Sequence, residues 1–213
     1  MNELIVVRHG ESEHHVNGYT GGWTDLPLTA RGREQAQRTA AYLRDQIDAR
    51  PARLVSSDLA RARATAEILA PSLGLQLTCS GALRELNNGV ARGLRQDEAA
   101  RLKRPRTEPA LDWVPYPEAE SWRMMYQRIA GYMDQLEADE PGCTLLVSHA
   151  NAMICIVNWW LRLDDERCLT DLMYELDPCS VTWLRVDRNG CRCIVRLNDT
   201  GHLLDWRPPG SAS

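Results

Sequence analysis

In LIVVRHG (4–10) four apolar residues run into Arg8-His9-Gly10, and in TLLVSH (144–149) a second apolar run ends in His149. Arg8 carries a planar fork of donors suited to phosphate or carboxylate. His9 offers a nitrogen largely unprotonated near neutrality, able to act as base, nucleophile or metal ligand. Gly10 lets the backbone turn sharply and approach a ligand. Alone, the tripeptide reads equally well as a cap on a surface strand, and a single histidine at a strand end is usually structural. Two in matching contexts are harder to dismiss: on neighbouring parallel strands their rings would face each other across a crevice. Arg61, in SSDLARARATA (56–66), follows a strand's carboxyl end and reads either as a site residue or as a solvated helix arginine like Arg63. Glu85, in LRE (83–85) before Asn87-Asn88-Gly89, sits on a glycine-containing turn, where a plain surface glutamate is the competing reading.

Elements of two kinds must position these groups. Leu4 to Val7, Ala52 to Ser56, Leu75 to Cys79 and Cys143 to Val147 read as strands, the first and last as buried ones. Ligands of open α/β sheets bind at the carboxyl ends of such strands. Ala36, Ala40, Leu43 and Ile47 predict an amphipathic helix over 30–48, with Thr29 as N-cap, Leu28 as staple and Pro51 as its end. Ser57-Asp58 is expected to cap a helix running to about Ala70. Trp122, Met125, Ile129, Met133 and Leu136 define another by their spacing, as a core stripe. A further helix covers 150–162, with Asn151 in the first turn, where backbone amides favour an anion. Val181 to Val186 and Cys191 to Leu197 flank Arg188-Asn189-Gly190, a hairpin turn. Glycines 18, 21 and 22 would let amides approach an anion as in a nest. Residues 94–117 read as an ordered irregular excursion, a lid or a solvated loop, and 206–213 as a frayed tail.

With 213 residues the chain suits one domain, 1–213. No run approaches the roughly 18 apolar residues of a membrane span, and the N-terminus lacks a signal-peptide pattern, so the expectation is a cytoplasmic protein without membrane partners. A net charge of −4 argues against nucleic-acid binding. Lys103 is the only lysine among 25 cationic residues, an arginine bias that genome composition also produces. The seven cysteines include no CxxC pair. Cys143 and Cys155 read as core residues, and Cys191 and Cys193 as one face of a strand rather than a metal site.

Taken in order, RHGES (8–12), GGWTDLPLT (21–29) with Gly32 and Gln35-Ala36, SSDLARARATA (56–66), LRE (83–85) with Gly89 and Gly93, and SHAN (148–151) resemble the motifs of the histidine phosphatase superfamily, the phosphoglycerate-mutase-like group. The resemblance runs from Leu4 to about Leu204. It implies a three-layer α/β/α sandwich with a mostly parallel central sheet and a C-terminal antiparallel hairpin. It also implies His9 as a nucleophile that is transiently phosphorylated, and Arg8, Arg61 and His149 around the equatorial oxygens of the transferring group. Glu85 would protonate the leaving oxygen and then accept a proton from water. Phosphate or substrate contacts would come from Arg8, His15, Gly21, Gly22, Arg61 and Asn151. No metal and no cofactor is implied; Glu13-His14-His15 is disfavoured as a metal site because adjacent loop histidines rarely bind one ion unaided. Two positions depart from the pattern: His15 stands where many members carry Asn, and Ala150 where glycine usually follows the second histidine.

The expected activity is that of a metal-independent phosphomonoesterase acting on a small phosphorylated metabolite. One alternative is a 2,3-bisphosphoglycerate-dependent phosphoglycerate mutase. Mutases of the group have a longer basic insertion, whereas only about two dozen residues separate Gly93 from Glu118; Arg101, Lys103, Arg104 and Arg106 keep that reading open. An alternative of another class is a non-catalytic module binding a phospho-ligand or partner, which five chemically competent positions disfavour. The physiological substrate and the oligomeric state stay open at this point.

Overall fold

Alternation along one strand explains the layering. In the computed structural model, which describes residues 1–47, 52–139 and 142–204, strand β1 (Glu3–Arg8) buries Leu4, Ile5, Val6 and Val7 completely. Successive side chains point to opposite faces. Leu4 and Val6 therefore join the core formed with α5 (Trp122–Asp139) and α6 (Ala150–Leu161), and Ile5 and Val7 the core formed with α2 (Ala30–Gln46) and α3 (Ala60–Leu73). Each such side chain contributes roughly 1.5–3 kcal/mol. A strand apolar on both faces needs helices on both, which is the sandwich the motifs imply.

The sheet has six strands in the order β3-β2-β4-β1-β5-β6. Strands β2 (Ala52–Ser57), β3 (Leu77–Ser80) and β4 (Cys143–Ser148) pair in parallel, and β4 pairs in parallel with β1. Strands β5 (Val181–Val186) and β6 (Arg192–Asp199) run antiparallel. Cα partners Val7↔Val147 and Arg8↔Ser148 bring the next residues, His9 and His149, to the same rim. Helix α6 is buried nearly all round, from Ala152 to Trp160.

Several expectations need correcting. Helix α3 is capped by Leu59, not by Ser57 or Asp58, and continues past Pro71 to Leu73, where Gly74 turns left-handed. Both polar residues are engaged elsewhere: Asp58 with Arg84, and the Ser57 hydroxyl with the Leu59 N–H and His149. Three short helices were hidden in what reads as loop: α1 (Glu13–Val16), α4 (Gln96–Leu102) and α7 (Glu166–Asp171). Each is too short to show an apolar period. Thr29 does cap α2, accepting the Gly32 N–H at 3.0 Å. Helix α2 ends at Gln46 with Ile47 as its C-cap, two residues short of the expected 48; Pro51 and the tail 206–213 lie outside the described residues. The 94–117 excursion is ordered by the Arg104 N–H to Pro115 carbonyl bond and by the Trp113 indole, which donates to the Pro105 carbonyl at 2.9 Å.

Candidate active site

The site is assembled where β1, β2 and β4 end. His9 is 2% exposed. Its Nδ1 lies 2.7 Å from the Gly10 carbonyl. A carbonyl only accepts, so Nδ1 carries the proton and Nε2 the lone pair. The backbone at Gly10 is pressed against α2: a Cβ there would lie 2.4 Å from the Gly32 carbonyl oxygen, so only glycine permits the crossing. The His149 ring meets that of His9 edge-on, with centroids 5.0 Å apart. His149 is fully buried, with Nε2 2.8 Å from the Ser57 hydroxyl and Nδ1 without a protein partner among the described residues.

Arg61, second residue of α3, is 1% exposed. Its Nη1 donates to the Thr24 carbonyl at 2.8 Å, its Nη2 to the Gly22 carbonyl at 2.7 Å, and its Nε to His9 Nε2 at 3.1 Å. Arg8 donates through Nη1 to the Leu176 carbonyl; its Nη2 lies 3.0 Å from His15 Nε2, and its buried Nε has no protein partner among the described residues. Both carboxylate oxygens of Glu85 accept backbone N–H groups, from Leu86 at 2.8 Å and from Asn151 at 3.1 Å. The anion that the N-terminus of α6 meets is thus the Glu85 carboxylate, with Asn151 acting through its backbone. Ala150 opens that helix, half-buried.

Gly22 adopts φ +58°, and its carbonyl orients Arg61. A Cβ at Gly22 would lie 2.7 Å from the Asn88 side chain and from the Leu86 carbonyl. The loop is pinned further by Trp23, whose N–H donates to Asn88 and whose indole donates to the Glu85 carbonyl. His15 meets two donors: the Ser12 N–H at Nδ1, 3.1 Å, and Arg8 at Nε2. Neutral imidazole accepts at one nitrogen only. His15 can therefore accept from only one of these two at a time, which places its ring between the Ser12 backbone and the Arg8 guanidinium.

Burial is the first cause that pushes His9 and His149 far below the ordinary histidine pKa, and the neighbouring Arg61 and Arg8 push the same way. His14 is lowered to about 3 and His15 to about 4, again by burial first. Arg61 is lowered to about 10 by burial, so it remains a cation at neutral pH. A cluster of neutral imidazoles and two guanidiniums is built to receive an anion rather than to hold protons.

The structure therefore brings Arg8, His9, His15, Arg61, Glu85 and His149 to one rim, with Gly21 and Gly22 beside them. Sequence reasoning missed several partners. His14 faces the site through the single turn of α1, its ring centroid 6.0 Å from that of His9, with Nδ1 2.8 Å from the Ser12 hydroxyl. Glu13 instead accepts from the Asn17 side chain. Ser57 was readable from the adjacency of β2 and β4, had the strand order been known. Arg128 had no sequence signal: from α5 it reaches back to the carbonyls of Ala82, Arg84 and Glu85 and pairs with Glu120.

Comparison with known proteins fits this geometry. A family model described as the histidine phosphatase superfamily (branch 1) matches residues 4–200. A probable phosphoglycerate mutase GpmB of Citrobacter koseri is 34% identical over 192 residues, covering 88% of this chain and 85% of the relative. Its counterpart in Escherichia coli is 33% identical with the same coverage. Among solved structures, the mycobacterial glucosyl-3-phosphoglycerate phosphatase superposes with a TM-score of 0.77 at 23% identity, covering 94% of this chain and 100% of that one. An alpha-ribazole phosphatase from Shigella flexneri gives 0.76 at 21% identity, covering 92% and 96%. These two structural likenesses establish the fold.

Proposed function

Since the chain belongs to the histidine phosphatase superfamily (branch 1), we propose that it is a metal-independent phosphomonoesterase working through a phosphohistidine on His9. The observation that carries this reading is the single lone pair of His9, fixed on Nε2 by the Gly10 carbonyl and set among Arg8, Arg61 and His149. In the first half-reaction Nε2 bonds to phosphorus as the ester P–O bond breaks, and Glu85 delivers a proton to the departing oxygen. In the second, Glu85 takes a proton from water, whose oxygen attacks phosphorus and displaces His9, releasing inorganic phosphate. Phosphoryl transfer asks mainly for in-line placement and charge stabilisation. Arg8, Arg61 and His149 supply the latter, in a site dry enough to make each contact count. Arg61 exchanges its contact with the His9 lone pair for one with a phosphoryl oxygen when substrate enters.

Hydrolysis of p-nitrophenyl phosphate in the presence of a chelator tests the reading. Turnover should persist with chelator and disappear in His9→Ala; activity kept by His9→Ala rejects the phosphohistidine route. A second reading, a bisphosphoglycerate-dependent mutase, is favoured by the names of the curated relatives. Rapid isomerisation of 3-phosphoglycerate on adding the bisphosphate would establish it instead.

A further inference from the structure

We infer that the open cleft bounded by the 105–115 excursion, the start of α5 and the 169–173 segment is the leaving-group subsite, and that it takes the phosphate ester of an alcohol carrying a flat, largely apolar ring system. This inference rests on the phosphomonoesterase reading above. The cavity holds about 210 Å³ and is walled by Leu86, Leu111, Trp113, Trp122, Leu169 and Met173.

Two of its walls are tied to the chemistry. Leu86 donates its N–H to Glu85, the group that meets the departing oxygen. Glu120, also in the lining, is gripped by the same Arg128 that holds the Glu85 carbonyl. On the opposite side, the segment through Met173 leads to Leu176, whose carbonyl accepts from Arg8. The cavity is thus built from chain neighbours of the proton donor and of a phosphate-binding arginine.

The lining dictates what kind of alcohol. Two indoles and four aliphatic or thioether side chains form an apolar slot that suits a planar ring. The Trp113 ring is fixed by its bond to Pro105, with the Lys103 ammonium 5.2 Å from its centroid. An apolar cavity of roughly 150 Å³ takes a benzene ring, so this one has room for a fused bicycle. Arg106 is the single cation of the lining. A three-carbon acid would leave most of these walls bare.

The pair 2-naphthylmethyl phosphate and ethyl phosphate tests this, because both leaving groups are primary alcohols and their kcat/KM ratio isolates the ring. The ratio should be about tenfold or more in favour of the naphthylmethyl ester. It should collapse towards one in Trp113→Ala and in Met173→Glu; Met173 is 59% exposed, so the second substitution spares the core. A ratio near one in the unmodified protein overturns the subsite, as does a high ratio that survives both substitutions. If neither ester is hydrolysed, the phosphomonoesterase reading fails, and calorimetric binding of the same two esters decides the subsite separately. Binding of the naphthylmethyl ester about tenfold tighter supports it, and equal binding overturns it.

Discussion

Arg61 places its Nε 3.1 Å from His9 Nε2 while two backbone carbonyls, of Gly22 and Thr24, hold its other two nitrogens. The nucleophile and the cation that faces it are therefore set by one rigid planar group, which a flexible ammonium cannot imitate. Arg61→Lys is expected to lower kcat for p-nitrophenyl phosphate on the order of 100-fold or more. A variant within fivefold of the parent (roughly 1 kcal/mol) would show that the fork is dispensable.

Stability should depend on pH through the same buried rings. Folded His9 and His149 titrate well below 6.5, whereas the unfolded chain protonates near 6.5. The unfolded state then binds more protons as pH falls through 6.5, so stability present at pH 7.5 is lost towards acid. At pH 5.5 each ring costs about 1.4 kcal/mol. Urea unfolding at the two pH values should register this loss, and His149→Gln should reduce it. Equal unfolding free energies at both would contradict the assignment.

The rate of phosphoenzyme formation should show no inflection at an ordinary histidine pKa. His9 stays unprotonated because burial and the neighbouring cations oppose its charged form. Rapid-quench rates at saturating p-nitrophenyl phosphate are expected to stay level between pH 7.5 and 6. A halving at pH 6.5 would mean that the nucleophile is an unperturbed imidazole.

Arg128 carries a prediction that separates positioning from bulk stability. It holds three carbonyls of the 82–85 segment and both oxygens of Glu120. Arg128→Met leaves those acceptors without their donor and should cost about 3 kcal/mol. Because Glu85 serves the departing oxygen, turnover of an alkyl phosphate should fall further than phosphorylation by p-nitrophenyl phosphate. Equal losses for both would assign Arg128 a purely structural role.

Gly22→Ala is expected to disable the site without touching a reacting group. The new methyl would collide with Asn88 and the Leu86 carbonyl at a left-handed position, moving the carbonyl that orients Arg61. A fall in kcat of roughly tenfold with a folded circular-dichroism spectrum is the expected result; unchanged kcat would contradict it.

Much of this site was legible in the chain because the strands announce themselves. Leu4 to Val7 and Cys143 to Val147 are apolar on both faces, and the residue types after them, Arg8, His9 and His149, admit few roles. Arg61 and Glu85 became legible only through the order of the motifs around them, since neither has a local pattern that distinguishes it from a surface residue. Cross-element contacts stayed hidden. Nothing in the spacing of α5 says that Arg128 reaches the Glu85 turn, and nothing at Gly22 says that its carbonyl holds Arg61. His14 was considered only as half of a metal pair, because a single turn of helix leaves no periodic trace to place it facing the site. The caps of α3 misled as well: Asp58 pairs with Arg84 across the fold, and the Ser57 hydroxyl is shared between the Leu59 N–H and His149.

The most direct measurement is the chemistry of the phosphorylated protein itself. After brief exposure to p-nitrophenyl phosphate and a denaturing alkaline quench, peptide mass spectrometry should find one phosphoryl group, stable in alkali and lost in acid. It should lie on Nε2 of His9 and be absent from His9→Ala. Phosphate on any other residue, or turnover with no phosphoenzyme under conditions that trap it, would contradict the account.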